Sequence, residues 1–199
     1  MKMKRRNDRG FTIIELIIAL LLSSMVMIGI WNTFHFQQQS YNLQRQKVAM
    51  EQNLRAGMQL MEQEIRMAGC DPSDLTNAGF HTRLPGAIGF TMDINNDANT
   101  GLYDGDVADP NEDITYTLYN DTDGIQKLGR RSQAGGPIQS VAEHINALAF
   151  LYLDSDGNET AEAAQIRSVV ITLTAQTANT NPVRTATLTT QINCRNMGI

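Results

Sequence analysis

The sequence is poor in the residues that most catalytic and metal sites require. Its 199 residues include only two cysteines, Cys70 and Cys194, and three histidines, His35, His81 and His144. None of them stands at the spacing of a zinc site, and neither cysteine has an evident histidine partner. A phosphate-binding loop is also missing, since "GLYDGD" has neither the lysine nor the helical pattern of such a loop. The sequence therefore contains no catalytic set, and we predict that the chain is not an enzyme.

Charge is distributed unevenly along the chain. Residues 1–10 carry a net charge of +4, whereas the remainder has 11 basic and 20 acidic side chains, a net charge of −9. A domain this acidic is a poor general binder of the nucleic-acid backbone, so we predict no nucleic-acid partner. A local basic patch formed by Lys127, Arg130 and Arg131 could still override the net charge.

Charged residues are almost absent from the stretch that follows the basic leader. Between Phe11 and Gln44 the sole charged side chain is Glu15, a carboxylate that is costly to place in lipid. Residues 11–31 are long enough to cross a bilayer as a helix. Because the basic leader comes first, the positive-inside rule places residues 1–10 in the cytoplasm and the chain after Trp31 outside the membrane. No small-residue cleavage site follows the apolar stretch, and the clear boundary is Gly10, which precedes it; an uncleaved anchor stays open.

The letters "RGFTIIELIIALLL" (9–22) resemble the class III signal of type IV prepilins and type II secretion pseudopilins. The resemblance implies that prepilin peptidase cleaves between Gly10 and Phe11 and that Phe11 is then N-methylated. It also places Glu15 at the fifth mature position, where this family has an acid. In the family, the acid of one subunit pairs with the N-terminal amine of its neighbour, since both charges are costly in an apolar medium. Pairing within one helix and snorkelling to the bilayer edge are the alternatives for Glu15.

A helical pattern continues beyond the apolar stretch. Residues 32–67 contain no proline and one glycine, Gly57. We predict one helix from about Phe11 to Met67, with a transmembrane and assembly part (11–31) and an amphipathic continuation (32–69). "GCDP" at residues 69–72 provides its stop signal. The continuation has one apolar stripe, which should pack on a sheet and consists of Leu54, Met58, Met61, Ile65 and Ala68.

Two further segments are similar to PilW-like minor pilins: "LMEQEIRMAGCDP" (60–72) and "TLTTQINCRN" (187–196). The implied fold is the pilin fold, an α+β arrangement in which a long N-terminal helix packs on an antiparallel β-sheet head (70–199). Outside the cytoplasm, Cys70 at the helix end and Cys194 on the last strand would form a disulfide between helix and sheet. Two separate buried thiols are the alternative.

Residues 113–199 show the alternation that is typical of β-strands. We predict a hairpin formed by residues 113–120 and 125–131, and further strands at 146–154, 166–177 and 183–194. Residues 138–145 are expected to form a short helical or irregular connection. Because consecutive strands have short links, the sheet should be antiparallel.

One loop pattern suggests a cation site. The spacing approaches that of an EF-hand loop, because oxygen-bearing side chains alternate along residues 93–104. Ala98 departs from that pattern where a glycine is usual, and the stretch ends in Asp rather than Glu. A plain turn-forming loop is the alternative, and "DSDGNE" (154–159) is a weaker second candidate. Calcium is thus the one cofactor that the sequence suggests, with the candidate ligands Asp93, Asn95, Asp97, Asn99 and Asp104.

These resemblances imply a structural subunit, a minor pilin that prepilin peptidase processes and that takes part in initiating or assembling a type IV pilus. Its partners would be the other minor pilins and the major pilin, through the N-terminal helix, and the bacterial inner membrane. The head would be periplasmic before assembly and at the cell surface afterwards. A type II secretion minor pseudopilin of the J type is the alternative within the family. An uncleaved, membrane-anchored periplasmic binding domain is the alternative of another class.

Overall fold

The computed structural model of the chain describes residues 10–94, 103–178 and 183–197. The chain divides into two compact units, Met1–Arg45 and Gln46–Ile199. The second unit contains all the β-strands of the described part of the chain.

The longest element is helix α1 (Ile13–Ile65), which has 53 residues. Its bounds agree with the predicted helix to within two residues at each end. The chain leaves the helix through a turn that ends at Gly69, whose φ of 75° lies in the left-handed region favoured by glycine. The Gly69 amide then donates to the carbonyl oxygen of Thr91 at 3.0 Å, so the helix end is joined directly to the sheet.

Two antiparallel sheets follow the helix in the second unit, and a short 3-10 helix (Ala163–Gln165) lies between the sixth and seventh strands. The first sheet has five strands in sequence order: β1 (Phe80–Leu84), β2 (Ala87–Thr91), β3 (Asp113–Asn120), β4 (Gln126–Arg131) and β5 (Gln139–Glu143). The second sheet has three: β6 (Ile145–Leu153), β7 (Ser168–Gln176) and β8 (Thr185–Asn193). The sheets are joined near β6, where the Phe150 amide donates to the carbonyl oxygen of Pro85 at 2.8 Å.

All five predicted strands are present. The hairpin of β3 and β4 has the expected bounds to within one residue, with Asn120 opposite Gln126 across the turn. Strands β6, β7 and β8 lie within one or two residues of the predicted ranges. Strands β1 and β2 were not predicted from the sequence; they are joined by a tight turn at Pro85 and Gly86.

The prediction for residues 138–145 was wrong, because most of this segment forms strand β5. It pairs with β4, and Leu128 faces Ala142 in the ladder. Both of these side chains are buried in the core. Pairing and burial therefore outweigh the local helical preference of "VAEH".

The predicted apolar stripe of α1 is buried in the core of the second unit. Gly57 lies on the same face, and a Cβ atom there would come within 3.1 Å of Leu128 Cδ2 and 3.3 Å of Ala142 Cβ. Gly57, the one glycine of residues 32–67, therefore permits close approach of helix and sheet. The buried apolar side chains of this segment are Met50, Leu54, Met58, Met61, Ile65 and Ala68.

A buried polar cluster also ties the helix to the first sheet. Arg130 on β4 donates to the Glu64 carboxylate from Nε (3.0 Å to each oxygen) and from Nη2 (2.8 Å to Oε1). The hydroxyl of Tyr116 on β3 donates to the same carboxylate, and Arg130 Nη2 also donates to Asn111 Oδ1 at 2.9 Å. Such a bidentate, charge-assisted pair fixes the helix relative to the strands.

The suggested basic patch at Lys127, Arg130 and Arg131 is not an exposed cationic surface. Arg130 is buried against Glu64, and the Nε atom of Arg131 is buried as well. Lys127 is 6% exposed and is surrounded by three carboxylates. Its Nζ lies 2.8 Å, 3.0 Å and 3.2 Å from oxygens of Asp121, Asp123 and Glu143. Lys127 and Arg130 are therefore paired with carboxylates within the fold, and these residues do not form an exposed basic patch.

Candidate functional site

The first turn of α1 has the geometry of a capping box. Thr12 precedes the helix, and its amide and its hydroxyl each donate to Glu15 Oε2 at 2.9 Å. The Glu15 amide is in turn 3.4 Å from the Thr12 hydroxyl oxygen. Thr at the N-cap and Glu three residues later satisfy amides that would otherwise lack partners. Glu15 therefore has a local role in the helix, which the letters "TIIE" would have predicted.

The proposed cleavage point lies immediately outside this turn. Gly10 and Phe11 are exposed and precede the helix, which begins at Ile13. A peptidase could reach the bond between Gly10 and Phe11 without unwinding α1. Removal of residues 1–10 would leave both Thr12 and Glu15 in the chain, so the capping box would survive cleavage.

The apolar part of α1 is suited to lipid. Within the described residues, α1 is the one helix that is long and apolar enough to cross a membrane, and none of its most apolar window is buried. Its hydroxyl groups are satisfied by the helix itself. Ser23, Ser24 and Thr33 donate to carbonyl oxygens of the preceding turn at 2.7 Å, 2.8 Å and 2.9 Å. A segment whose hydroxyls are paired in this way can enter hydrocarbon at lower cost.

The predicted disulfide is not formed in the structure, where Cys70 and Cys194 are both free thiols. Cys194 is buried in the core and Cys70 packs against its edge, so each behaves as a small apolar side chain. Burial raises the pKa of the Cys194 thiol to about 11. Burial and the charges of Asp93 and Asp71 raise the pKa of the Cys70 thiol. Neither thiol is therefore activated as a nucleophile.

A cluster of carboxylates occupies the loop that precedes β3. Asp104, Asp106 and Glu112 each place a carboxylate oxygen within 4.8 Å of the others. A backbone amide orients each of these groups: Asp104 accepts from Asp106 at 3.1 Å, Asp106 accepts from Ala108 at 2.8 Å, and Glu112 accepts from Ile94 at 3.0 Å. Such an arrangement of oxygen ligands is of the kind that a hard divalent cation prefers.

The charges near this cluster repel one another. Asp93, which follows β2, is fully buried, and burial together with the charges of Glu112 and Asp104 raises its pKa. Burial and the charges of Asp104, Glu112 and Asp106 also raise the pKa of Asp109. The site therefore concentrates negative charge in a partly desolvated place.

The predicted calcium ligands and the residues of this cluster overlap only in part. Asp104 belongs to it and Asp93 lies near it, whereas Asn95, Asp97 and Asn99 lie outside the described residues. Asp106 and Glu112 were not predicted, because they approach Asp104 through the folding of the loop and not through an alternating pattern.

The weaker candidate loop at residues 154–159 forms a closed turn. One oxygen of Asp154 accepts from the amides of Asp156 and Asn158 at 2.9 Å and 2.8 Å. Closing a turn in this way is a common role of an Asp at such a position. In the part of the chain that the structure describes, the acids of this loop do not gather into a group that could hold a metal.

Comparison with known proteins gives two findings. Residues 5–31 match the family model described as the prokaryotic N-terminal methylation motif. Among solved structures, a type IV-like pilin from Thermus thermophilus superimposes with a TM-score of 0.50 at 10% sequence identity. That match covers 75% of this chain and 98% of the Thermus protein. Comparison with curated proteins found no similar sequence.

The chain therefore carries the N-terminal methylation motif of type IV prepilins, and it has the fold of a type IV-like pilin. The predicted fold class, one long N-terminal helix packed on antiparallel sheets, is confirmed. The motif and the fold together indicate a structural subunit and not an enzyme.

Proposed function

We propose that this chain is a PilW-like minor pilin that takes part in the initiation and assembly of a type IV pilus. In this proposal it is made as a prepilin, cleaved between Gly10 and Phe11 by prepilin peptidase, and methylated at Phe11. The observation that carries the proposal is the pairing of an accessible cleavage point with an apolar segment, residues 11–31, whose one acid, Glu15, lies in the first turn of α1.

The exposed apolar surface of α1 supports a role in assembly. Large apolar side chains on residues 13–36 are half or more exposed in the single chain, among them Leu16, Leu20 and Phe36. A surface of this kind needs an apolar partner. Inner-membrane lipid would cover it before assembly, and the helices of other minor pilins and the major pilin would cover it in the filament.

The proposal assigns a place to each part of the chain. Residues 1–10 are the cytoplasmic leader, 11–31 the membrane-spanning and assembly segment, and 32–69 its amphipathic continuation. Residues 70–199 are a head that is periplasmic before assembly and displayed at the cell surface afterwards. The excess of basic residues before the span supports this orientation.

Two other functions share some of these features. A type II secretion minor pseudopilin of the J type would have the same leader and the same helix. An uncleaved membrane anchor with a periplasmic binding head would keep its leader.

Deletion of the gene separates the pilus from the secretion system. We expect loss of surface pili by electron microscopy with normal type II secretion, and restoration of the pili by the wild-type chain. A Gly10→Val chain should fail to restore them, because the substitution blocks cleavage after residue 10. Among the described residues, a Cβ at Gly10 meets nothing within 4 Å, so the substitution should not disturb packing. Loss of secretion with normal pili would favour the J-type pseudopilin. Restoration of the pili by Gly10→Val would show that cleavage is not needed.

A further inference from the structure

Beside the acidic cluster before β3 lies a buried carboxylate, Asp93, whose surroundings indicate a bound ligand. Asp93 is fully buried, and within the described residues its Oδ1 atom has no hydrogen-bond partner. Its other oxygen accepts from the Ser73 hydroxyl at 3.1 Å. A buried carboxylate oxygen without a partner is rare and costly, and a bound cation would satisfy it.

The backbone holds Asp93 beside the cluster. The amides on either side of it, those of Met92 and Ile94, donate to the carbonyl oxygen and to the carboxylate of Glu112 at 2.9 Å and 3.0 Å. The buried carboxylate is therefore flanked by residues that bind directly to a member of the cluster. Asp93 and Glu112 lie at the same end of two neighbouring strands, where β2 ends and β3 begins, since Thr91 is paired with Asp113.

We propose that Asp104, Asp106 and Glu112, together with the buried carboxylate of Asp93, bind one calcium ion. The donors are all oxygens, which excludes the softer metals that prefer thiolate or imidazole. Calcium accepts six to eight oxygen ligands in irregular geometry, whereas magnesium demands a near-ideal octahedron and keeps several waters. A mixed set of buried and exposed carboxylates from two chain segments fits calcium better than magnesium.

The bound ion would join the segment after β2 to the loop before β3. It would also neutralise carboxylates that repel one another in its absence. The proposal is independent of the pilin assignment, since it depends on the head alone.

The test uses the full chain in detergent, stripped of metal with EDTA and then freed of the chelator. Calcium chloride is titrated by calorimetry, and the melting temperature is measured with calcium, with magnesium at the same concentration, and with EDTA. The variant is Asp106→Asn, which keeps the oxygen that accepts from Ala108 but removes one charge. The control is Glu162→Gln, an exposed acid on another loop.

For the wild type and for the control we expect one calcium ion per chain and a rise in melting temperature that magnesium does not reproduce. The Asp106→Asn variant should bind calcium at least about tenfold more weakly, because affinity depends on the number of charged ligands. In EDTA the same variant should melt at or above the wild-type temperature, because one repulsive charge is gone. A side chain that merely supports the loop would instead lower the melting temperature in both conditions.

The proposal fails if calcium produces neither heat nor a rise in melting temperature in the wild type. It also fails if magnesium has an equal effect, or if Asp106→Asn responds to calcium as the wild type does.

Discussion

Glu15 has two distinguishable roles in this account, and substitution can separate them. Its carboxylate caps the first turn of α1 through Thr12, and we propose that it also pairs with the amine that cleavage creates at Phe11. Glu15→Ala removes both interactions. Glu15→Gln removes the charge but keeps a side chain that can complete a capping box.

The two roles differ in magnitude. Loss of a helix N-terminal cap costs about 0.5–2 kcal/mol, which corresponds to roughly 2- to 30-fold in an equilibrium. Leaving a charge unpaired in an apolar surrounding costs about 3–5 kcal/mol, or roughly 100- to 4,000-fold. If charge pairing drives assembly, Glu15→Gln should therefore be nearly as defective as Glu15→Ala.

The assay compares the amount of this chain in sheared filaments with the amount in membranes, by quantitative immunoblot. We expect both variants to lose the leader normally and to be almost absent from filaments. Glu51→Gln is the matched control on the same helix, because the exposed pair of Glu51 with Lys47 contributes little and its loss should leave incorporation normal. Wild-type incorporation of Glu15→Gln beside a defective Glu15→Ala would refute charge pairing and leave capping as the role of Glu15.

Two further predictions concern the stability of the head. Arg130→Met should lower the free energy of unfolding in urea by about 3 kcal/mol, because the half-buried Glu64 carboxylate loses its charged partner and keeps only the hydrogen bond from Tyr116. Glu64→Leu combined with Arg130→Met should cost less than Arg130→Met alone, and equal costs would contradict this interpretation. Hydrogen bonds from Thr76 and Ser73 lower the pKa of Asp71 to about 2. The ionised carboxylate therefore stabilises the folded state fully above the unfolded-state pKa of about 3.9, and this stabilisation is lost as the pH falls towards 2. Asp71→Asn should therefore weaken the loss of stability between pH 5 and pH 2 in urea titrations, and an unchanged pH profile would show that Asp71 is not coupled to folding.

The sequence was most informative where the pattern is local. The apolar stripe of α1, the stop signal at Gly69 and the hairpin of β3 and β4 each follow from the spacing of neighbouring residues, and the structure has all three. The capping box of Thr12 and Glu15 is equally local and could have been predicted.

The features that were not predicted depend on contacts between residues that are far apart in the sequence. Glu64 is not part of the apolar stripe, yet its carboxylate accepts hydrogen bonds from Arg130, 66 positions along the chain. Strand β5 forms because its backbone pairs with that of β4, although the local preference of its residues is helical. The acidic cluster likewise forms when the loop brings Glu112 back to Asp104 and Asp106, a closure that no spacing rule encodes.

Cleavage and methylation can be read directly from the mass of the protein extracted from membranes. We expect a chain that has lost residues 1–10 and begins with Phe11 carrying an added mass of about 14 Da, one methyl group. An N-terminal peptide that still contains residues 1–10 would contradict it and identify the chain as an uncleaved membrane anchor.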